Sequence, residues 1–538
     1  MLSQVLEKVR KVAWFLPGFL LWASFPPMAE TADCVFALAP LMWISRKGDC
    51  RKSAKCWFQS GIFFWVATLS WMPAIVKNGG PWPLVVLGWA ALALYCSLYF
   101  AAYGWLSAGY WAWAAEKRAW ARVIGLLLVE PVLWSGLELV RSRLFGGFAW
   151  NHLGVVPANS GFGAPAAVGG VYLLSAVVVI VNGVLAGIFE RIALMAFRRK
   201  VDRWRSLETI LGLAAVAAIY FACELIAPPE PKTVRRVKVA MVQRNFPCCF
   251  RDQDQDPLSV YDSLLANLSP LKADLVVLPE SAMSEFGPVD GMRALSFAKR
   301  MCFANGGAQL LAGGSRTSGE NEVFNSAALY TPGEGGAFSL DVYDKVHLVP
   351  FGEYIPGDKM FPYLQKFAPV GSCSAGDPKL LYLDDPRAPF ATAICFEDTD
   401  SALIRKFAAM GAKFLVFITN DSWFSHSSET LQHAWQSVAR AIETGLPVIR
   451  VGNSGVTGTL APDGKVSWAL DSDLRPAIDR SCTMFDRIEI AGDGESPAKT
   501  WYVVWGDVPL ATVFVLLILV MILVKYKNYY EKRRYLSM

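Results

Sequence analysis

This 538-residue sequence predicts a polytopic α-helical membrane domain joined to a layered α/β domain. Three observations lead there. The chain is 54% hydrophobic but only 18% charged, with a mean hydropathy of +0.33; soluble domains carry roughly 25% charged residues. The apolar runs are segregated into residues 1–228 and one stretch near the C-terminus. Between 230 and 506 the pattern changes to short apolar runs alternating with helical stretches, the mark of helices covering a sheet.

The apolar segments fall near 12–27, 33–45, 55–73, 81–113, 121–140, 165–190 and 207–227, with a last one at 508–524. The second is short and the fourth long against the roughly 20 residues a span needs. Basic residues fill alternate loops: Lys8, Arg10 and Lys11; Arg46, Lys47, Arg51, Lys52 and Lys55; Lys117, Arg118 and Arg122; Arg191 to Arg205; and Lys525 to Arg534 in the tail. The other loops carry only Lys77, although Arg141 and Arg143 just precede one of them. By the positive-inside rule both termini are cytoplasmic, and the domain after seven spans is extracytoplasmic. Cleavage of the first span as a signal peptide would spoil this alternation. The expected organisation is a transmembrane domain of about seven helices at 1–228, an extracytoplasmic α/β domain at 232–500, a transmembrane helix at 506–526 and a basic cytoplasmic tail at 527–538. The small, dispersed net charge of +5 gives no reason to expect nucleic acid.

PPEP (228–231) ends the last early span, because proline breaks a helix. After it VKVAMVQ, ADLVVLPE, AQLLAGGS, SAALYT, ATAICFE, AKFLVFITN and LPVIRVGNS read as strands buried on both faces. Residues 257–270, 291–304, 400–410 and 429–445 read as helices. Three segments deliver reactive groups. DLVVLPES carries Glu280, LDVYDKVHLVPFGEYIP carries Lys345 and Glu353, and ATAICFED carries Cys395. A thiol needs a base or a cation to become a nucleophile. Glu280 could take its proton, while Lys345 and the Phe396 N–H could hold an oxyanion. Each residue also has an ordinary reading: a structural cysteine ending a strand, a glutamate in a first helical turn, a solvated lysine.

The motifs around these residues resemble the nitrilase, or carbon–nitrogen hydrolase, superfamily. They are VVLPES, VFNSAALYTPGEGG, YDKVHLVPFGEYIP, ICFED, ITNDSWF and LQHAWQSVARAIETGLPVIRVGNSGVTGTLAPDGK, in the family's order over nearly all of 237–470. The resemblance implies an αββα sandwich with a Glu280–Lys345–Cys395 triad and Glu353 as a supporting glutamate. It also implies supporting roles for Glu397, Phe396 and Asn325. With about seven spans before the domain and one after it, the chain further resembles the apolipoprotein N-acyltransferase branch. That resemblance implies a cysteine thioester formed from a membrane phospholipid, usually phosphatidylethanolamine. The acyl chain then passes to the α-amino group of a diacylglyceryl apolipoprotein at the bacterial cytoplasmic (inner) membrane, on its periplasmic side. No metal or cofactor is implied. The aromatic stretch over 351–371, with Phe351 and Tyr354, reads either as a membrane-dipping lid or acyl-chain wall or as an ordinary packed loop, and Trp423 and Phe424 either line the same cavity or pack in the core.

The sequence departs from that pattern at Phe396, where relatives carry a hydroxylated aromatic, and in SWFSHSSET, which replaces a Gly-rich turn. His426 and His433 have no third ligand in a recognisable metal pattern. Cys248, Cys249, Cys302, Cys373 and Cys482 leave disulfides open. Two other readings compete: a membrane-tethered amidohydrolase that passes its acyl group to water, and a transporter or receptor with an inactive outer domain. The latter needs paired charges in the spans, where Glu130, Glu138, Arg141 and Glu224 are the few candidates.

Overall fold

The computed structural model describes residues 14–117, 120–196, 203–229, 231–247, 261, 272–283, 290–319, 322–355, 357, 372–384, 387–424 and 426–536. The predicted helix at 257–270 lies outside the described residues except for Tyr261, as do most of the 351–371 stretch, Cys248 and Cys249. The chain divides into two compact units.

The first unit comprises Met1–Ser70, Gly88–Ile226 and Trp505–Met538. Its helices are α1 (Phe15–Ala23), α2 (Ala39–Ser45), α3 (Cys50–Thr68), α4 (Trp82–Ala114), α5 (Trp120–Arg141), α6 (Ala166–Ala196) and α7 (Arg203–Leu225), with Val508–Leu536 at the C-terminal end. Among the described residues six helices are long and apolar enough to cross a membrane. The helix α1 and the apolar stretch Thr31–Ser45 are shorter; at about 1.5 Å per residue neither alone matches a hydrocarbon core of about 30 Å. Several buried polar groups inside this unit find partners, which offsets the cost of their desolvation. Asn182 in α6 accepts from Leu38 N and Ala39 N at 2.8 and 3.0 Å, capping α2. Arg46 and Arg122, two of the loop cations, share Glu208 at 2.6 and 3.1 Å. Glu130 accepts from Tyr103, Ser107 and Trp111. Glu138 accepts from Leu153 N, and Arg141 donates to Phe148 O and Trp150 O. These charges hold helices and loops together, which is not what a translocation path would ask of them.

The second unit comprises Trp71–Leu87 and Ala227–Val504. It holds two six-stranded sheets. The first runs in the order β12 (Cys482–Ala491), β1 (Val234–Gln243), β2 (Leu275–Val277), β3 (Gln309–Ser318), β4 (Glu322–Pro332), β5 (Phe338–Asp344). The second runs β11 (Val466–Trp468), β10 (Gly458–Leu460), β9 (Val448–Gly452), β8 (Phe414–Thr419), β7 (Ala388–Ile394), β6 (Leu381–Leu383). The sheets meet through β4 against β7 and β1 against β9. Helix α8 (Asp290–Ala304) packs on β3 and β4; of α9 (Ser401–Met410) and α10 (Glu429–Thr444), which pack together, α10 lies on β9. This is the expected αββα sandwich. The central strands β2, β8 and β9 are buried along their whole length, which is why they read as unbroken apolar runs. β7–β8–β9 are parallel, with Ile394 opposite Ile418 and Ile418 opposite Val451, so their C-terminal ends open at one edge. Ligands bind outside the carboxyl ends of parallel strands.

Candidate active site

Cys395 is the first residue after β7, at the start of a 3-10 turn over Cys395–Thr399. Its φ is +54°, a left-handed conformation that costs a non-glycine residue on the order of 1 kcal/mol and recurs at functional turns. The turn is fixed by Glu397. One carboxylate oxygen accepts from Val346 N at 2.7 Å and His347 N at 3.0 Å; the other accepts from Ile394 N at 2.7 Å. The Tyr343 hydroxyl donates to the same group at 2.9 Å. A single buried side chain thus ties the cysteine turn to the segment that carries Lys345.

Glu280 lies three residues beyond the end of β2, and β3 passes close behind it. A Cβ on Gly313 would sit 2.6 Å from Glu280 Cα, so only glycine allows this approach. Asn325, on β4, donates from one nitrogen to Glu280 Oε1 and Glu353 Oε1, both at 2.7 Å. Lys345 Nζ lies 3.0 Å from Glu353 Oε1 and 3.9 Å from Glu280 Oε1. Glu353 Oε2 accepts from Val349 N at 2.8 Å. Lys345 is 1% exposed and Glu280 7%, while Glu353 and Asn325 are half-buried, so the carboxylates, amine and amide form one cluster around a buried base and cation.

The electrostatics follow from that burial. Desolvation pushes the Cys395 thiol well above its ordinary value, Glu280 adds to the push, and Lys345 opposes it. The thiol is therefore protonated at rest and needs a base. Desolvation also raises Glu280, against the pull of Lys345, which makes it a stronger base than a solvated carboxylate. Burial disfavours the Lys345 charge, but Glu353, the Cys395 site and Glu280 outweigh it and hold the amine protonated. A proton transfer from Cys395 to Glu280 would leave the cluster's total charge unchanged and would move the negative charge onto sulfur within the field of Lys345.

Of the other expected residues, Phe396 is half-buried with its ring edge-on to His347, centroids 5.7 Å apart. Phe351 is 69% exposed and Tyr354 half-buried. Trp423 and Phe424, both half-buried, lie in the turn Asp421–Phe424 after β8. Among the described residues Cys302, Cys373, Cys395 and Cys482 are free thiols.

The sequence reading missed a second buried network. His433 Nδ1 faces Asp421 Oδ1 at 3.0 Å, and its Nε2 faces Asp398 Oδ1 at 2.9 Å. Arg450 bonds Asp398 and reaches Asp421 at 3.5 Å. Burial opposes charge on His433, but the two aspartates outweigh it and hold the ring as imidazolium, its pKa pushed up to about 10. Two cations thus balance two aspartates. Glu429, its pKa driven well up by burial and Asp421, joins as a neutral acid. Asp421, Glu429 and His433 gather three potential metal ligands, but Arg450 and the His433 imidazolium already supply the positive charge a metal would bring. His433 therefore partners carboxylates and is not set up as a base for the thiol. His426 is exposed and pairs with Asp479 at 3.0 Å. The only sequence signal for this network was polar residues on the otherwise apolar-facing side of α10.

Comparison with known proteins bears on the chain as a whole. Residues 17–184 match the family described as Apolipoprotein N-acyltransferase N-terminal domain, and residues 238–512 match Carbon-nitrogen hydrolase. A protein named Apolipoprotein N-acyltransferase from Geobacter metallireducens is 30% identical over 467 residues, covering 84% of this chain and 85% of that one. One of the same name from Shewanella oneidensis is 27% identical over 540 residues, covering 96% of each. An amidase from Nesterenkonia sp. of known structure aligns at 19% identity with a TM-score of 0.34, over 47% of this chain and 90% of that one. This chain therefore belongs to the apolipoprotein N-acyltransferase family, and its residues 238–512 form a carbon–nitrogen hydrolase domain.

Proposed function

We propose that this protein is a phospholipid-to-apolipoprotein N-acyltransferase that works through a thioester on Cys395. Glu280 takes the thiol proton, and the thiolate attacks an ester carbonyl of the phospholipid. The oxyanion that develops is held by the Lys345 ammonium and the Phe396 N–H. As it collapses, the C–O bond breaks and protonated Glu280 returns its proton to the departing lysophospholipid oxygen. The acyl chain remains as a thioester. The α-amino group of a diacylglyceryl-cysteine at an apolipoprotein N-terminus then attacks the same carbonyl and gives up a proton to Glu280. The C–S bond breaks, the amide forms, and Glu280 restores the thiol. The donor is phosphatidylethanolamine. Glu353 and Asn325 hold the lysine and the base in place, and Glu397 holds the cysteine turn.

The observation that carries this reading is the cluster in which Asn325 bridges Glu280 and Glu353 while Lys345 stands between them. It supplies a base and a cation beside a thiol too weakly acidic to ionise alone. The chain is a multi-pass bacterial membrane protein, and the alternation of basic loops supports a periplasmic position for the catalytic unit. A site at the outer face of the membrane suits two substrates that are both lipid-anchored there.

The test is to incubate purified protein with phosphatidylethanolamine and no acceptor, then locate the added mass. Acylation at Cys395, chased to a diacylated lipopeptide on its addition, is the expected result. Acylation elsewhere, persistence in Cys395→Ala, or release of free fatty acid in place of lipopeptide overturns it.

A further inference from the structure

The connection between α3 and α4 belongs to the catalytic unit, and its Met72–Asn78 segment forms a 3-10 turn. Asn78 Nδ2 donates to two successive main-chain carbonyls, Ser422 O at 3.3 Å and Trp423 O at 2.8 Å. Trp71, buried, sets its ring edge-on to Phe424 with centroids 4.7 Å apart, and its Nε1 donates to Gln432 Oε1 at 3.3 Å. The same turn is held from the other side. Ser422 Oγ bonds Asn420 Oδ1 at 2.6 Å, and Asn453 Nδ2 donates to Asn420 Oδ1 at 2.9 Å.

The turn gripped in this way follows β8, next to the turn that carries Cys395 after β7. Its first residue, Asp421, acts electrostatically on both Cys395 and Glu280. Two consecutive carbonyls bound to one amide nitrogen fix the peptide planes at 422–424, and with them the directions of Trp423 and Phe424. An aspartate at position 78 would fill the same volume but offer no donor.

We propose that Asn78 is a positioning residue: it sets the Asp421–Phe424 turn so that Trp423 and Phe424, with Trp71, form an apolar wall for the acyl chain delivered to Cys395. The inference rests on the acyl-transfer reading above and adds a specificity element contributed by a connection between helices, far in sequence from the hydrolase motifs.

The test uses the full chain in mixed micelles of detergent and phosphatidylethanolamine, following thioester mass on the Cys395 peptide. Asn78→Ala raises the phospholipid concentration for half-maximal acylation about tenfold, the scale of two lost hydrogen bonds. Asn78→Asp does the same. Alkylation of Cys395 by iodoacetamide keeps its wild-type rate in both, because the base and cation are untouched and Asp421 stays held by His433 and Arg450. In a Trp423→Ala background, Asn78→Ala adds less than about twofold, since the two act through one wall. Wild-type half-saturation in either Asn78 variant overturns the proposal. So does an alkylation rate that falls in parallel, or an Asn78→Ala effect that persists in full without Trp423. Failure of the unmodified protein to form any thioester is a separate result: it removes the acyl-transfer reading and this inference with it.

Discussion

Lys345 leans toward Glu353, at 3.0 Å, and away from Glu280, at 3.9 Å. The nearer carboxylate anchors the cation, so the farther one keeps more of its basicity. Replacing Glu353 with Gln removes the anchor, and Lys345 then closes on Glu280 and quenches it. The expected result is a fall of about 10²-fold in thioester formation, the scale of a displaced electrostatic group, with Cys395 still present and the fold retained. Single-turnover acylation measured by mass checks this.

As the proposed base, Glu280 can accept the thiol proton only when ionised. Burial raises its pKa above the ordinary 4.5, so acylation is lost at low pH and rises as pH passes that elevated value. Lys345 stays charged well into the alkaline range and imposes no falling limb there. Glu280→Gln removes the rising limb and lowers the rate about 10²–10⁴-fold, while circular dichroism remains that of the wild type. A pH–rate profile of acylation for both proteins is the measurement. A wild-type midpoint at or below 4.5 would contradict the raised value.

The His433 network makes stability depend on pH in a stated direction. The ring titrates near 6.5 when solvated and near 10 in the fold, so its contribution is complete below pH 6.5 and drains away as pH rises toward 10. Asp398 and Asp421 have the opposite sign. Burial would raise them, but His433 and Arg450 hold them below 3.8, and their contribution is lost as pH falls through that lowered range. His433→Gln leaves two buried aspartates with only Arg450 and costs about 3–5 kcal/mol. The alkaline decline in thermal midpoint between pH 6.5 and 10, measured in detergent, is expected to flatten in the variant.

Gly313→Ala would drive a Cβ to 2.6 Å from Glu280 Cα. The backbone must shift, at about 1–3 kcal/mol, and the base moves with it. Acylation should fall more than the thermal midpoint explains; equal activity at equal stability would show that the approach of β3 does not set the base.

Much of this was legible in the chain. Strands β1, β2, β3, β4, β7, β8 and β9 announced themselves because strands buried on both faces read as apolar runs. Strands β5, β6, β10, β11 and β12 did not. β6, β10 and β11 are three residues each, and β12, at a sheet edge, is only half-buried along most of its length, so its sequence, CTMFDRIEIA, carries little periodicity. Glu280, Lys345 and Cys395 were legible because their flanking motifs are local. Asp398, Asp421, His433 and Arg450 come from four separate segments, and no local pattern links them. Asn78 lies more than 340 residues from the carbonyls it binds.

The division into a membrane part and an α/β part, and the reactive groups available, can be read from the chain alone, because hydropathy, strand burial and side-chain chemistry are written residue by residue. Packing in three dimensions settled which carboxylate holds the lysine, which residue locks the cysteine turn, and which distant amide binds the Trp423 carbonyl. Those are matters of distance in a low-dielectric interior, where a difference of less than 1 Å selects the partner of a charge, and distances between remote segments exist only once the two sheets have packed.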